Sequence, residues 1–511
     1  MAPQPCLDRL DKILIGLTIA VISVVTIGRL PPGICSADSG GLQLACATLG
    51  ITHPPGYAGY ASLGYLFTLV PGVDPAYMVS LASWGCGLIT LWLCILIQVR
   101  LGVAVGVACA LALVLTAFPR VWSNLLVPEV YLPSLLFEAA AAYMIMAYAG
   151  DGRPRSLYLG AALFGFVLAN RPPAVFAFPF FLVAAWLACR RRGASLRASA
   201  ARLALASAFG VLPGIYTVGY LWVRDAPDTP YNYLEQFNAE AGILPESEDG
   251  AAAKAHRIFW LVTGRQFGDK MGNTLTGVRY KLLWLRNELL PFPWEALQLM
   301  PYRLIVAIDA FAILTLGVVL AGRRCPVAMW LLAGMGLGSI LFVCLYRVNG
   351  DAADILPLLF ALTVLIGVAI SPLLPARGNA WQRGVAVSLA IAALAATTVL
   401  APARRKTGLN MDALPFLAEL DMPSLPQDTV ICSHWGSSTP LWYAQRFIYN
   451  RPDVTVINAP DSEWARLTED LRELPIFGTD PPAPEYGFAA EPYRNLWRLE
   501  YQEATEGASP P

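Results

Sequence analysis

The chain has 511 residues, 56% of them apolar and 14% charged, and its 36 basic and 36 acidic residues cancel to a formal charge of zero. That composition excludes an ordinary soluble domain, and the lack of a basic excess excludes a nucleic-acid-binding surface. What remains is a polytopic membrane protein whose solvent is largely lipid.

The first apolar run, 13–30, ends at Pro31-Pro32 without a small-residue cleavage site and is followed by many more runs, so it reads as a retained helix rather than a leader. The stretch after it, ICSADSGGLQLACATLGITHPPGYAGY (Ile34 to Tyr60), carries a lone carboxylate, Asp38, then His53, a Pro-Pro-Gly turn and two tyrosines, Tyr57 and Tyr60. Asp38 has an ordinary explanation, the cap of a following helix, and a functional one, a general base that takes the proton of an attacking hydroxyl. The two are compatible. His53 is either an idle surface histidine or part of the same site, and the tyrosines suit an interfacial anchor. Cys35 and Cys46 share this loop and either pair in an oxidising compartment or stay free thiols.

Further spans are predicted at 77–99, 101–118, 131–149, 157–170, 173–189, 203–223, 304–321, 327–346, 355–374 and 385–401, about eleven in all. WSNLLVPEVYLPS puts Glu129 at the mouth of the fourth, beside Trp122 and Tyr131. A carboxylate at that depth is costly without a partner, so Glu129 serves a site or pairs with an arginine such as Arg120. LANRPPAVF brings Asn170 and Arg171 to the end of the fifth span, and CLYRVNGDAAD brings Arg347 and Asp354 to a later loop. A guanidinium there either grips an anion in a bidentate fork, or pairs with Asp351 or Asp354, or snorkels into headgroups.

Short loops vote on orientation. Arg9, Lys12, Arg100, Arg153, Arg155, Arg190 to Arg192, Arg197, Arg202, Arg323, Arg324, Arg377 and Arg383 fall on one side, which the positive-inside rule makes the cytoplasm. The N-terminus is then cytoplasmic and the C-terminus extracytoplasmic, in an inner-membrane protein. Residues 1–401 form the membrane domain, with outer loops 31–76 and 224–303, and residues 402–511 form an extracytoplasmic region. The 231–294 stretch mixes aromatics with charges and suits helices in the headgroup layer. The tail reads DTVICSH, STPLWYAQRFIYN, DVTVINAP, a β–α–β-like α/β unit. Ten cysteines are scattered without metal-ligand spacing, and no Gly-rich phosphate loop or Ser/His/Asp signature occurs. No cofactor is indicated, and a divalent metal stays open.

Collinear patches from about residue 10 to 460 resemble a known family. They are ADSGGLQLACATLGITHPPGYAGYASLGYLF, WSNLLVPEVYLPSLLF, GFVLANRPPAVF, DAADILPLLFALTVLIGVAI and the tail run from Leu425 to Asn458. The chain is similar to bacterial polytopic proteins of a domain-of-unknown-function group related to the protein O-mannosyltransferase-like transmembrane family, which has the glycosyltransferase-C fold. The resemblance implies an all-α polytopic membrane domain. It also implies an inverting, mannosyltransferase-like glycosyltransferase that takes a sugar from a polyprenyl-phosphate-type lipid donor and passes it to a protein or glycan acceptor of the cell envelope. Carried onto this sequence, the base is Asp38, with His53 in the same loop, and Glu129, Tyr131, Asn170 and Asp354 with Pro357 match the family's patches; Tyr57, Trp122, Arg171 and Arg347 join the residues expected to hold substrate on their position and chemistry. The family's Asp-x-Gly-Glu reads Asp38-Ser39-Gly40-Gly41 here, without the glutamate, and Arg171 stands where a histidine is expected, so its phosphate role rests on chemistry alone. The competing functions are a lipid or solute transporter or flippase and a non-catalytic envelope assembly protein.

Overall fold

A computed structural model of the chain describes residues 7–237, 250–289, 300–347, 352–373 and 411–502. The apolar runs fold as helices. In chain order they are α1 (Arg9–Ile27), α2 (Ala37–Thr48), α3 (Ala58–Thr68), α4 (Pro75–Arg100), α5 (Val105–Ala117), α6 (Pro119–Leu126), α7 (Tyr131–Asp151) and α8 (Pro154–Asn170). They continue with α9 (Phe178–Arg191), α10 (Leu196–Arg224), α11 (Tyr233–Phe237), α12 (Ala251–Val262), α13 (Leu275–Leu289), α14 (Met300–Arg324), α15 (Pro326–Leu345) and α16 (Leu356–Ile370). Local chemistry marks several starts. Asp8 and Asp11 cap α1 reciprocally, and Asp74 caps α4 by accepting from the Tyr77 amide at 3.0 Å, with Pro75 in the first turn where its missing N–H costs nothing.

Among the described residues, six helices are long and apolar enough to cross a membrane, or seven if one bent pair counts as a single span. The pair is α5 and α6, which meet at 77° in the region predicted as the straight span 101–118. Pro119 is the reason, since its ring cannot continue the preceding helix. The predicted span 173–189 begins as a 3₁₀ turn, Pro172–Phe176, before α9. The predicted span 385–401, with Arg377 and Arg383, lies outside the described residues. Small residues set the helix spacing: a Cβ at Gly165 of α8 would strike the Gly210 backbone of α10, as in other membrane bundles where glycine lets backbones meet.

The loop arginines gather at one end of the bundle. Arg100 donates to the Met146 carbonyl at 3.2 Å, Arg202 to the Tyr148 hydroxyl at 2.9 Å and Arg324 to the Leu101 carbonyl at 2.8 Å. At the other end the chain builds outward. The tail holds a five-stranded sheet of β1 (Val430–Ser433), β2 (Thr455–Asn458), β3 (Ile476–Gly478), β4 (Phe488–Tyr493) and β5 (Leu496–Tyr501), in the order β2-β1-β3-β5-β4. β1 lies between β2 and β3, parallel to both, and is buried throughout, which explains its uninterrupted apolar run. A helix, Trp435–Tyr443, leaves its carboxyl end.

This tail packs directly on the first loop. One apolar core joins Ile34, Leu44, Ala45 and Ala76 to Leu417, Leu441 and Tyr443. The Ser36 amide donates to the Met411 carbonyl at 3.1 Å and the Ala413 amide to the Ile34 carbonyl at 2.9 Å. Loop and tail therefore lie on the same side of the bundle, whichever compartment that side faces.

Candidate active site

Helix α2 is the element that presents Asp38. Its N-cap is Ser36, so Asp38 is not the cap; it sits exposed in the first turn, where the helix dipole favours a negative charge. The capping explanation of Asp38 is corrected accordingly. Fully buried Gln43 ties α2 to its neighbours: its amide accepts from the Cys35 amide at 2.7 Å and donates to the Ala76 carbonyl at 2.9 Å and Ser80 Oγ at 3.1 Å. The far end is held by Arg224, whose guanidinium donates to the Leu49 and Thr48 carbonyls at 2.6 and 3.0 Å, the orphan acceptors of a helix C-terminus.

The tail helix completes the surroundings. The Trp435 indole Nε1 donates to Asp38 Oδ1 at 2.6 Å, and Thr439 Oγ1 donates to the Ala37 carbonyl at 3.1 Å. Tyr443 donates to Asp74 Oδ2 at 3.0 Å, locking the same helix to the start of α4. Gly40 and Gly41 admit this approach. A Cβ at Gly40 would overlap the Cys35 carbonyl and come within 2.6 Å of Thr439 Oγ1. A Cβ at Gly41 would lie 3.2 Å from Tyr231 Oη and 3.3 Å from the Trp435 ring. The place of the glutamate in the related pattern is thus filled by two aromatics.

Gly40→Ala is therefore expected to cost about 1–3 kcal/mol by overpacking. It should lower the melting temperature in detergent and expose the tail to protease. A variant with wild-type melting and cleavage would contradict this packing.

Rings surround the carboxylate. His53 packs edge-on against Tyr57 at 5.2 Å and against Trp435 at 6.2 Å, and its Nδ1 pairs with Thr52 Oγ1 at 3.0 Å. Tyr233 meets Trp435 at 6.0 Å. Buried Tyr231 points its hydroxyl toward Gly41; burial and the neighbouring Tyr233 and Asp38 push that phenol well above its ordinary pKa, so it is a neutral donor. Glu129, from the loop before α7, reaches the same turn of α2. Ser39, adjacent to Asp38, donates its hydroxyl to Glu129 Oε1 at 2.5 Å. The alternative partner, Arg120, instead holds Glu288 in a bidentate pair at 2.9 Å.

Arg171 and Asp354 meet in a pair of their own. Arg171 Nη2 donates to Asp354 Oδ1 at 2.6 Å, with both side chains buried, and Glu138 and Tyr131 interact electrostatically with the same guanidinium. Of the readings open for Arg171, the geometry selects pairing with Asp354; Asp351 lies outside the described residues. Glu138 was not anticipated, because it sits inside an apolar run. It is 2% exposed, and its Oε2, like Arg171 Nε, has no hydrogen-bond partner among the described residues. Asn170 braces the wall: its Oδ1 accepts from the Tyr60 amide at 3.1 Å.

Trp122 and Arg347, both expected to hold substrate, differ in setting. Trp122 is 2% exposed, in a core with Leu30 and Leu126, and the Arg29 guanidinium lies 5.3 Å above its ring, so it packs rather than binds. Arg347 is exposed, and its guanidinium donates to the Gly272 carbonyl and its amide to that of Lys270 at 2.8 Å. Cys35 and Cys46 are both free, buried thiols, so the alternative of a disulfide between them is not realised. Burial, with Asp412 and Glu129 nearby, pushes the Cys35 thiol far up and leaves it inert. Among the described residues, no three His, Cys, Asp or Glu side chains are placed to hold a metal ion.

An exposed carboxylate held from one side by an N–H donor can accept a proton from a hydroxyl approaching its other oxygen. Residues 38–193 match the model of the protein O-mannosyl-transferase TMEM260 N-terminal domain, a stretch that opens at Asp38 and includes His53, Glu129, Tyr131, Asn170 and Arg171. No curated protein matches the chain. Among solved structures, it resembles the arabinofuranosyltransferase AftD from Mycobacteria, at 14% identity over 97% of this chain and 40% of that one, with a TM-score of 0.52. It also resembles the S. cerevisiae protein O-mannosyltransferase Pmt1–Pmt2 complex bound to the sugar donor, at 17% identity over 43% of this chain and 34% of that one, with a TM-score of 0.37. The chain spans less than half the length of either. The likeness to AftD shows the fold, a multi-pass helical membrane protein of glycosyltransferase-C type.

Proposed function

We propose that this chain, a glycosyltransferase-C-fold membrane protein whose residues 38–193 match a protein O-mannosyl-transferase domain, is a membrane glycosyltransferase. It moves a sugar from a polyprenyl-phosphate-type donor to a hydroxyl of a protein or envelope glycan on the extracytoplasmic face. One observation carries the reading: the exposed Asp38 carboxylate, held at the bundle face between the first loop and the tail.

In the proposed step, the acceptor oxygen forms a bond to the anomeric carbon as its proton passes to the free oxygen of Asp38. The bond from that carbon to the phosphate oxygen breaks, and the lipid phosphate leaves with the electron pair, so the sugar inverts. The hydrogen-bonded Ser39 and Glu129 and the packed pair His53 and Tyr57 are assigned to the sugar hydroxyls. Arg347, an exposed cation, is assigned to the donor phosphate. Arg171 and Asp354 are assigned to the wall behind Tyr131 rather than to direct contact.

The ionisable cluster of Arg171, Asp354 and Glu138 is the feature a transporter reading would use. Glu138 is two turns into α7, but its partners sit at helix ends: Arg171 is the C-cap of α8 and Asp354 lies in the 3₁₀ turn Ala352–Ile355 that precedes α16. A pair at the ends of helices favours the enzyme over a path through the middle of the bundle.

Two experiments bear on the proposal. In liposomes containing the purified chain and a polyprenyl-phosphate sugar labelled in the sugar, label is expected to move to a hydroxylated acceptor; label retained on the lipid counts against transfer. Reporter fusions after Arg192 and Arg324 are expected to report cytoplasm, and fusions after Gly250 and Asp421 the outside, because the arginine-rich end is retained within. A cytoplasmic tail would place Asp38 on the wrong face for this donor.

A further inference from the structure

We infer that Trp435, from the C-terminal region, is a positioning residue for the transfer step: its indole N–H fixes one oxygen of Asp38 so that the other faces the acceptor. The inference rests on the reading of Asp38 as general base.

An indole is a donor only, so it holds a carboxylate without competing for the proton. The donation is short, at 2.6 Å. The ring itself is fixed. His53, Tyr233 and Trp442 stand edge-on to it at 6.2, 6.0 and 6.3 Å. Its helix is pinned to α2 by Thr439 and to α4 by Tyr443. Asp38 is otherwise an exposed side chain in a first helical turn, free to rotate, and a general base works only when aimed. Gly41 belongs to the same device, because a side chain there would press on the Trp435 ring at 3.3 Å and on Tyr231. The bare position at 41 is what admits the indole, and the C-terminal region is thereby a component of the site.

Trp435→Phe keeps the ring and deletes the donor. The purified chain is added to envelope membranes of a strain lacking the gene, which carry their own donor and acceptor, and initial glycan modification is followed against the amount of membrane. The variant is expected to be roughly tenfold slower, the scale of a lost side-chain hydrogen bond, with unchanged melting and unchanged saturation by membranes, so that the loss sits in turnover and not in binding. In an Asp38→Asn background the substitution adds nothing further, which a merely structural role would not produce. Should Trp435→Phe disturb folding, Gly41→Leu, which crowds the indole without changing it, is expected to slow turnover the same way and likewise to add nothing to Asp38→Asn. A slow Asp38→Asn chain beside Trp435→Phe and Gly41→Leu chains at wild-type rate overturns the role of Trp435 and leaves the base. An Asp38→Asn chain at wild-type rate overturns both.

Discussion

Asp38→Asn is expected to slow sugar transfer on the order of a hundredfold or more, the usual scale for losing a general base. An alcohol is a poor nucleophile, and its proton has to leave as the sugar bond breaks; asparagine cannot take it at neutral pH. The structure makes this substitution a clean one. The Trp435 indole donates to Oδ1, and an asparagine carbonyl oxygen accepts in the same place. Ser36, not Asp38, is the N-cap, so no cap is lost and the helix gives up only a favourable dipole contact of about 0.3–1 kcal/mol. The loss should therefore appear in kcat with donor affinity and melting temperature nearly unchanged. A folded Asp38→Asn chain with near-normal kcat would remove the general base from the account.

Arg171→Ala is expected to destabilise the chain by about 3–5 kcal/mol, the cost of stranding a buried acid without its cation. Asp354 and Glu138 are 5% and 2% exposed, and the Arg171 guanidinium interacts with both. The double variant Arg171→Met, Asp354→Leu removes both charges of the pair and is expected to recover the part of that loss that Asp354 carries, Glu138 still lacking its cation. Melting temperatures in detergent measure both. The double variant also separates packing from ligand binding: if it is stable and keeps donor affinity, Arg171 belongs to the wall. If it is stable and loses donor affinity, Arg171 grips the phosphate.

The Asp38 loop was legible because its signals are local: a lone acid after an apolar run, then a Pro-Pro-Gly turn. The strand, helix and parallel strand over 430–458 were legible for the same reason, since period and β-branching are read within a few residues. Trp435 was not. It lies 397 positions from Asp38, and nothing in either segment says that the tail helix docks on α2. The missing glutamate at position 41 read as a defect, whereas the structure fills its place with Tyr231 and the Trp435 ring. Glu138 was hidden by its apolar neighbours, because composition cannot tell which face of a membrane helix meets lipid and which meets Arg171. Trp122 went the other way: an aromatic beside Glu129 at a span mouth was expected to hold substrate, but this ring is enclosed under Arg29.

The central claim is that a glycan of the cell envelope depends on the Asp38 carboxylate. It is tested most directly by comparing envelope glycans of a strain lacking the gene with those of the same strain carrying the wild-type chain or the Asp38→Asn chain. The account predicts that a glycan disappears with the gene, returns with the wild-type chain and does not return with Asp38→Asn expressed at the same level. Identical glycan profiles with and without the gene would contradict it.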